Sequence, residues 1–261
     1  MSKVYSLKRL VKGLHYKVAN LGIPVTRNEK RLLSLKNLHR KRRVFIIGNG
    51  PSLKKTDIRL LKNEITIGCN GIFLIFDDIG FLPSFYTVED TLVAEDRAET
   101  INKIQGTVKI FPYDLKYCLK PDKDTVYVNF IRQFPGFPKI SADFESCVYW
   151  GGTVTFLNIQ LAYYLGSREI YLVGVDHSYR EPTEKDEQEG FTILSHSPDV
   201  NHFHPDYFGP GFRYHDPKVE RMEVAYKKAK EFFEKNNGVI YNATAGGNLE
   251  VFERVDFGSL F

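Results

Sequence analysis

The chain has 261 residues, of which 43% are apolar and 14% aromatic, so it can bury a sizeable core and is not a disordered protein. Its three cysteines are odd in number and widely spaced, which argues against a disulfide framework or a cysteine-based zinc site and indicates a reducing compartment. Neither a secretory leader nor an apolar run of transmembrane length is visible, and we therefore expect a cytoplasmic protein.

The net charge of +4 conceals a strongly basic N-terminal segment. Residues 1–43 hold thirteen Lys or Arg and one acid, whereas the remaining residues carry a net charge of −8. Apolar residues recur from Val4 to Leu21 at three- and four-residue steps, which predicts an amphipathic helix within an extension spanning residues 1–42. Two interpretations stay open for residues 1–43. They contact the inner face of the cell membrane, or they pack on the body or on a second subunit of a homo-oligomer.

Nucleic acid is the less favoured partner for the chain, because no basic patch with interleaved aromatic residues follows the N-terminal segment. A second basic helix is expected at residues 29–40. The remaining predicted strands and helices then alternate along the chain. The predicted strands are 44–48, 65–69, 84–88, 107–111, 125–129, 169–175 and 238–242. The predicted helices are 53–62, 91–105, 153–165 and 217–236.

This alternation predicts an α/β domain over residues 43–261, with a mostly parallel sheet and helices on both faces. In such sheets ligands bind beyond the carboxyl ends of the strands. The segment Val44–Leu53 carries the strongest signal of this kind, because a buried strand leads into a Gly48–Ser52 turn and then a helix pattern. Backbone N–H groups at such a junction can hold a phosphate, with Asn49 and Ser52 adding side-chain contacts. The other interpretation is an ordinary connection without a ligand.

Polar residues follow several other predicted strands. Asn70 comes after the second strand, where it could read a base or ribose or simply end the strand in a turn. Gly152 and Thr153 open a predicted helix and suit either an anion site or a plain helix cap. Asp176 follows the strand at 169–175, at the same predicted edge of the sheet.

Residues 180–217 interrupt the alternation and are predicted to form a lid, because the segment is polar and longer than a connection requires. Five of the seven histidines, from His177 to His215, fall within 39 residues. His202 and His204 lie among aromatic residues, which suits a desolvated base acting near neutral pH. A metal site at the His-x-His-x-Asp sequence is the weaker interpretation, since no further ligand pair occurs at a diagnostic spacing. Each histidine could also be a hydrogen-bonded loop residue.

Three motifs together resemble the bacterial sialyltransferases of glycosyltransferase family 42. They are the turn Gly48–Leu53, the Cys69-Asn70 pair and the segment Leu165–Asp176. The chain resembles still more closely a broader group named after an archaeal 6-hydroxymethylpterin diphosphokinase, to which Ile240–Gly247 is also similar. The resemblance covers residues 43–252. It implies a Rossmann-like nucleotide-sugar fold that uses a CMP-type donor as substrate, with no obligatory metal ion or other cofactor.

The resemblance also implies roles for individual residues. It carries nucleotide binding over to Asn49, Ser52 and Asn70. The residue patterns described above add Gly48, Gly50, Gly152, Thr153 and Asp176 to the expected nucleotide-binding residues. The expected catalytic residues, with a lid histidine as the base and tyrosines stabilising the departing phosphate, are His204, His202, His215, Tyr207 and Tyr179. The family's Arg-x-Thr-Ser-Gly segment is absent, because Gly151 stands where the arginine belongs and Val154 where the serine belongs. This departure weakens the case for recognition of a sialic-acid carboxylate.

Three functions are therefore hypotheses. The leading one is transfer of a sugar, a nonulosonate or a related acid, from a CMP-type donor to a cell-envelope glycan or glycolipid by direct displacement. The alternative is Mg²⁺-dependent transfer of diphosphate from ATP to a pterin-like alcohol, with Glu89, Asp90 or Asp176 as metal ligands. The third is a non-catalytic interaction protein on a retained fold.

Overall fold

A computed structural model of the protein describes Leu14, Val18 and residues 24–133, 136–180 and 186–261. The amphipathic helix predicted between Val4 and Leu21 lies almost wholly outside these described residues. Within them, no helix has both the length and the apolar composition that a membrane crossing requires.

The centre of the fold is a parallel sheet of eight strands. They are β1 (Val44–Ile47), β2 (Ile65–Cys69), β3 (Phe85–Thr87), β4 (Val108–Pro112), β5 (Thr125–Val128), β8 (Glu169–Val173), β12 (Val239–Asn242) and β13 (Glu253–Arg254). Their order across the sheet is β13-β12-β8-β1-β2-β3-β4-β5. All neighbouring strands of this sheet pair in parallel. The seven predicted strands are confirmed, and the short edge strand β13 is the one strand of this sheet that was not predicted. The two-stranded sheet of β6 (Phe130–Ile131) and β7 (Val148–Tyr149) was also not predicted.

The helices of the described residues are α1 (Arg27–Leu35), α2 (Phe76–Ile79), α3 (Thr91–Asp96), α4 (Ala98–Lys103), α5 (Val154–Tyr164) and α6 (Val219–Lys235). Short 3-10 helices occupy Pro51–Lys55, Ile58–Asn63, Asn70–Ile75, Tyr113–Tyr117 and Gly258–Leu260. The helices expected at 153–165 and 217–236 are confirmed as α5 and α6. The single helix expected at 53–62 is wrong, because Thr56 is extended and divides it into two 3-10 helices. The helix expected at 91–105 is divided into α3 and α4 at Arg97, whose φ of −114° and ψ of 9° depart from helical values.

Successive residues of β1 point to opposite faces of the sheet and enter two separate cores. Val44 and Ile46 pack with buried residues of α1, α5 and α6. Phe45 and Ile47 pack with the 3-10 helices after β1 and with α3 and α4. All four side chains are buried, as expected for a central parallel strand covered on both faces. The predicted Rossmann-like α/β fold, with helices on both faces of a mostly parallel sheet, is confirmed.

Helix α1 belongs to the globular body, although the sequence placed it in the N-terminal extension. It begins earlier than the predicted residues 29–40 because Thr26 and Glu29 form a capping box: each side chain accepts the other's backbone N–H. It also ends earlier, and Asn37 just beyond it has a left-handed backbone with φ of 58°. Leu32 and Leu35 are buried in the core, so the helix is fixed against the sheet.

The predicted lid, residues 180–217, contains a small antiparallel sheet, whereas the sequence suggested an irregular segment. This sheet consists of β9 (Glu187–Glu189), β10 (Thr192–Leu194) and β11 (Arg213–His215). Two contacts join the lid to the body: the Arg213 guanidinium pairs with Asp96 at 2.5 Å, and the Phe203 N–H donates to the Asn49 carbonyl at 2.9 Å. The lid therefore lies over the carboxyl edge of the sheet. Residues 181–185 of the predicted lid lie outside the described residues.

Candidate functional site

A large cleft lies at the carboxyl ends of the parallel strands, where the sequence placed the ligand site. Its volume is about 1020 Å³, which is the size of pockets that enclose small-molecule ligands. The ends of β1, β2, β3 and β8, the N-termini of α5 and α6, and the lid all contribute to its walls. The cleft therefore gathers residues that are far apart in the sequence, as the parallel topology requires.

Most of the predicted site residues line this cleft. Those that do are Gly48, Asn49, Gly50, Asn70, Gly152, Thr153, Asp176, Tyr179, His202, Tyr207 and His215. Ser52 and His204 are not among the residues of its walls. Ser52 is 3% exposed beneath the turn, and the imidazole of His204 accepts the backbone N–H of Asp206 at 3.1 Å.

In this conformation three backbone N–H groups of the turn expected to hold a phosphate, those of Gly48, Gly50 and Ser52, already have acceptors in the protein. The N–H groups of Gly48 and Gly50 donate to the carbonyls of Val173 and Gly174, each at 2.8 Å. Asp176 engages Ser52 at two points: its Oδ1 accepts the Ser52 N–H at 3.2 Å and its Oδ2 accepts the Ser52 hydroxyl at 2.5 Å.

Gly50 is required at this turn by the same carboxylate. A Cβ atom at that position would lie 1.9 Å from Oδ2 of Asp176, far inside van der Waals contact. The Asp176 side chain therefore holds the turn against β8, in the place where the sequence predicted a ligand phosphate.

Three buried polar atoms of residues on the cleft wall have no hydrogen-bond partner among the described residues. They are Oδ1 of Asn49, Oδ1 of Asn70 and Nε2 of His177. An unsatisfied buried polar atom costs about 1–3 kcal/mol, so native proteins usually provide a partner. Three such atoms around one cleft indicate where a ligand can supply the missing hydrogen bonds.

His177 was not among the predicted site residues, and its backbone has an unusual conformation. It adopts φ of 53°, the left-handed region that a residue with a large side chain rarely enters. Its ring packs edge-on against Tyr226 of α6, with centroids 5.5 Å apart. Burial lowers the pKa of the imidazole, which favours the neutral ring near neutral pH. His177 is therefore fixed as a hydrogen-bonding group without charge.

The lid brings a carboxylate–imidazole pair to the cleft. Nδ1 of His202 lies 2.7 Å from Oδ2 of Asp199, and Asp199 also accepts the N–H groups of Asn201 and Phe208. Burial acts to raise the pKa of Asp199, but its hydrogen bond with His202 and the two N–H donors outweigh burial, so the pKa lies below its ordinary value. An ionised Asp199 orients the imidazole with Nδ1 as the donor, which leaves Nε2 as a proton acceptor.

Tyr207 is stacked directly on this imidazole. The two ring centroids are 3.9 Å apart and the planes differ by 6°. Burial raises the pKa of the Tyr207 hydroxyl, while hydrogen bonds from the Asn70 side chain and the Gly71 N–H act to lower it. The phenol therefore links the lid histidine to Asn70 at the end of β2. Tyr179, by contrast, is 38% exposed at the wall of the cleft.

A second carboxylate–histidine pair lies on another wall of the cleft. Nδ1 of His215 is 3.0 Å from Oδ2 of Asp90, and this hydrogen bond raises the pKa of His215. Oδ1 of Asp90 also accepts the Leu92 and Val93 N–H groups and so caps α3. Beside the pair, burial raises the pKa of Glu89 to about 7, although Arg132 lies 3.4 Å away and opposes the shift.

The N-terminus of α5 forms a further wall, as the sequence suggested. Thr153 caps the helix by accepting the Thr155 N–H at 3.3 Å. Gly152 before it has φ of 80°, and the side chain of Arg221 from α6 lies beside it. The Arg221 guanidinium lies over the Trp150 ring, 5.3 Å from its centroid. This wall therefore combines helix N–H groups with a cation, both of which favour an anion.

Among the described residues, no group of three or more His, Cys, Asp or Glu side chains is arranged to hold a metal ion. Of the acids proposed for Mg²⁺, Asp90 is engaged by His215 and the α3 N–H groups, and Asp176 by Ser52. Glu89 lies beside Arg132.

A family model described as 6-hydroxymethylpterin diphosphokinase MptE-like matches residues 23–182, which is more than half of the chain. The chain belongs to this family. Among solved structures, the MAf glycosyltransferase from Magnetospirillum magneticum AMB-1 is similar, with a TM-score of 0.51 and 20% sequence identity. The match covers 88% of this chain and 38% of that one, so the chain spans well under half of its length. A comparison with curated proteins finds no match.

Membership of this family, together with the fold shared with MAf, confirms the superfamily that the three sequence motifs indicated. Sequence reasoning nevertheless missed several residues of the cleft: His177, Asp199, Arg132 and Arg221. The signal for Asp199 was present, since a carboxylate three residues before a histidine in a loop can reach its ring. No local signal marked Arg132 or Arg221, because only the tertiary fold brings them to the cleft.

Proposed function

We propose that the protein is a glycosyltransferase that binds a nucleotide-sugar donor in the cleft and transfers the sugar to a glycan acceptor. One observation carries the proposal: unpartnered polar atoms of Asn49 and Asn70 share a cleft with an oriented imidazole, His202, that can accept a proton. The fold shared with the MAf glycosyltransferase supports it. The resemblance to sialyltransferases favours a CMP-type donor and a nonulosonate or related acidic sugar.

In this proposal the side chains of Asn49 and Asn70 hold the nucleoside, since each has a carbonyl oxygen left without a donor. The donor phosphate lies near Gly152 and Thr153, where the N-terminus of α5 and the Arg221 guanidinium both favour negative charge. We favour this location over the first turn, where the N–H groups of Gly48, Gly50 and Ser52 are engaged by the protein itself.

The reaction proposed is a direct displacement at the anomeric carbon. Nε2 of His202 takes the proton of the acceptor hydroxyl while that oxygen forms a bond to the sugar carbon. The bond from the carbon to the phosphate oxygen breaks, and its electron pair stays on the departing nucleotide. The hydroxyls of Tyr207 and Tyr179 stabilise the charge that develops on this phosphate. His215, paired with Asp90 on another wall of the cleft, is the alternative base.

The acceptor proposed is a cell-envelope glycan or glycolipid, and the sugar transfer is proposed to need no metal ion. The second candidate function is Mg²⁺-dependent diphosphate transfer from ATP to a pterin-like alcohol, which the name of the matching family favours. Protein donors already contact both oxygens of Asp90 and both of Asp176, however, so Mg²⁺ would have to compete with these hydrogen bonds. We therefore rank diphosphate transfer second.

A single assay series separates the two functions. The full-length protein is incubated with radiolabelled CMP-, UDP- and GDP-sugars and a membrane glycan extract, with Mg²⁺ or with EDTA. We expect transfer from a CMP-sugar in both conditions, and its loss in His202→Ala. A parallel reaction contains ATP and 6-hydroxymethylpterin. Transfer to the pterin that requires Mg²⁺, with no turnover or binding of any nucleotide sugar, would reverse the ranking.

A further inference from the structure

A basic turn lies between α1 and β1, at the edge of the sheet opposite the cleft. Residues 36–43 form this turn, which precedes the amino end of β1, whereas the cleft lies beyond the carboxyl ends of the strands. The N–H groups of Asn37 and His39 donate to the carbonyls of Tyr164 and Leu165, at 3.0 and 2.8 Å. These bonds fix the turn to the end of α5 and give it a defined position on the body.

Three consecutive cations project from this turn. Arg40, Lys41 and Arg42 are exposed, and none of them forms an ion pair with another described residue. Glu64, which directly precedes β2, pairs with Arg43: its Oε1 lies 2.6 Å from the Arg43 Nη2. Lys36, at the start of the turn, pairs with Glu145 at 2.7 Å. The charges of Arg40, Lys41 and Arg42 are therefore the ones in the turn that no acid of the described residues pairs with.

Strand order extends the positive charge to neighbouring loops. The starts of β2 and β8 flank the start of β1 in the sheet, and these strands are preceded by Lys62 and Arg168. Two acids, Glu64 and Glu169, also lie at these strand starts, and Glu169 accepts the Tyr171 hydroxyl. Arg168 is half-buried and donates to the Tyr163 and Ser167 carbonyls. Leu38 stands in the turn itself and is 54% exposed. We name these residues the basic edge. It consists of Leu38, Arg40, Lys41, Arg42, Lys62 and Arg168.

We propose that the basic edge is a docking surface for an anionic lipid bilayer. Cations that lack acidic partners are attracted to lipid phosphates, and each contributes when it lies within a Debye length of the surface. The exposed leucine among them can enter the headgroup region. A nucleic acid fits less well, because Leu38 offers no ring on which a base could stack.

Docking in this orientation has a consequence for the cleft. At roughly 3.3 Å per residue, the four residues of β1 separate the basic edge from the cleft by about 13 Å, and the cleft lies on the side away from the lipid. A membrane-bound acceptor must therefore extend from the bilayer around the body to reach the cleft. A long glycan can do this, whereas a hydroxyl at the lipid surface cannot.

The test is flotation of the full-length protein with vesicles of phosphatidylcholine alone or mixed with phosphatidylglycerol. The variant Arg40→Gln/Lys41→Asn/Arg42→Gln removes three charges, and asparagine suits the left-handed backbone of Lys41. We expect it to bind the anionic vesicles about 100-fold more weakly than the unmodified chain, and Leu38→Gln to bind about threefold more weakly. The matched control is Lys54→Gln/Lys55→Gln/Lys116→Gln, which removes three exposed charges after the carboxyl ends of β1 and β4.

The control should bind within about twofold of the unmodified chain. Thermal unfolding and nucleotide binding verify that each variant is folded, and these readouts do not depend on lipid. Equal loss in the control, or unchanged binding in the basic-edge variant, would overturn the proposal. So would tight, salt-sensitive binding to a duplex oligonucleotide with no binding to anionic vesicles.

Discussion

His202 is held by Asp199, whose Oδ2 lies 2.7 Å from the Nδ1 atom of the imidazole. The carboxylate is buried, with its side chain 4% exposed, and two lid N–H groups fix its position. Because Nδ1 faces a carboxylate, Nε2 is the ring nitrogen left for chemistry. His202 also lines the cleft, whereas His204 does not.

The pair predicts a graded loss of activity. His202→Ala removes the base, and we expect kcat/KM for sugar transfer to fall by about 10²–10⁴-fold, because that is the usual contribution of a general base. Asp199→Asn, which keeps the size but loses the charge, should lower it by about tenfold or more. The measurement is initial rate against donor concentration. His204→Ala is the control and should stay within about threefold of the unmodified protein. A larger loss in His215→Gln than in His202→Ala would transfer the role of base to His215.

Glu89 predicts a pH dependence of stability. Its pKa is raised to about 7, so the folded protein retains a proton that the unfolded chain releases at lower pH. The stabilisation from this group is complete below the unfolded pKa of 4.5 and is lost as the pH rises through about 7. Glu89→Gln stays neutral, so its unfolding free energy relative to the unmodified protein should rise between pH 5 and 8, by up to about 3 kcal/mol. Urea unfolding at several pH values measures this difference. A constant difference across that range would contradict a raised pKa.

Replacing Ser52 tests whether its side chain serves to hold Asp176 or to contact a ligand phosphate. Ser52→Ala leaves a buried Asp176 carboxylate oxygen without its donor, and we expect a loss of about 1–3 kcal/mol in unfolding free energy. Binding of CMP should change by less than about twofold, since the serine faces Asp176 and not the cleft. Urea unfolding and calorimetry give the two values. A large loss of CMP affinity with unchanged stability would instead support direct contact between Ser52 and a phosphate.

Replacing His177 is expected to weaken binding of the donor substrate with little change in the unfolding free energy. Asparagine tolerates the left-handed backbone of this position better than histidine does, so His177→Asn should change the unfolding free energy by less than about 1 kcal/mol. The variant also removes the unpartnered Nε2 atom, and we expect the affinity for the donor substrate to fall about tenfold. Calorimetry with the nucleotide and with the nucleotide sugar locates the lost contact. Unchanged affinity for both would show that the atom has no ligand partner.

The sequence determined the layout of the protein because that layout depends on local patterns. Buried strands such as Val44–Ile47 and the strand-to-helix alternation predicted the sheet, its parallel direction and the edge at which the cleft lies. Three motifs indicated the superfamily. Boundaries were less certain: the helix predicted at 53–62 is two 3-10 helices, since local apolar spacing cannot distinguish one helical type from another.

Only the tertiary structure decided which groups are available for chemistry. The turn at Gly48–Ser52 looks like a phosphate cradle in sequence, yet Asp176, more than a hundred residues away, fills it. The same folding pairs His202 with Asp199 and leaves His204 off the cleft. Hydrogen bonding and burial are satisfied across distant segments, so a motif specifies which groups exist, and the packing of the whole chain determines which of them remain free.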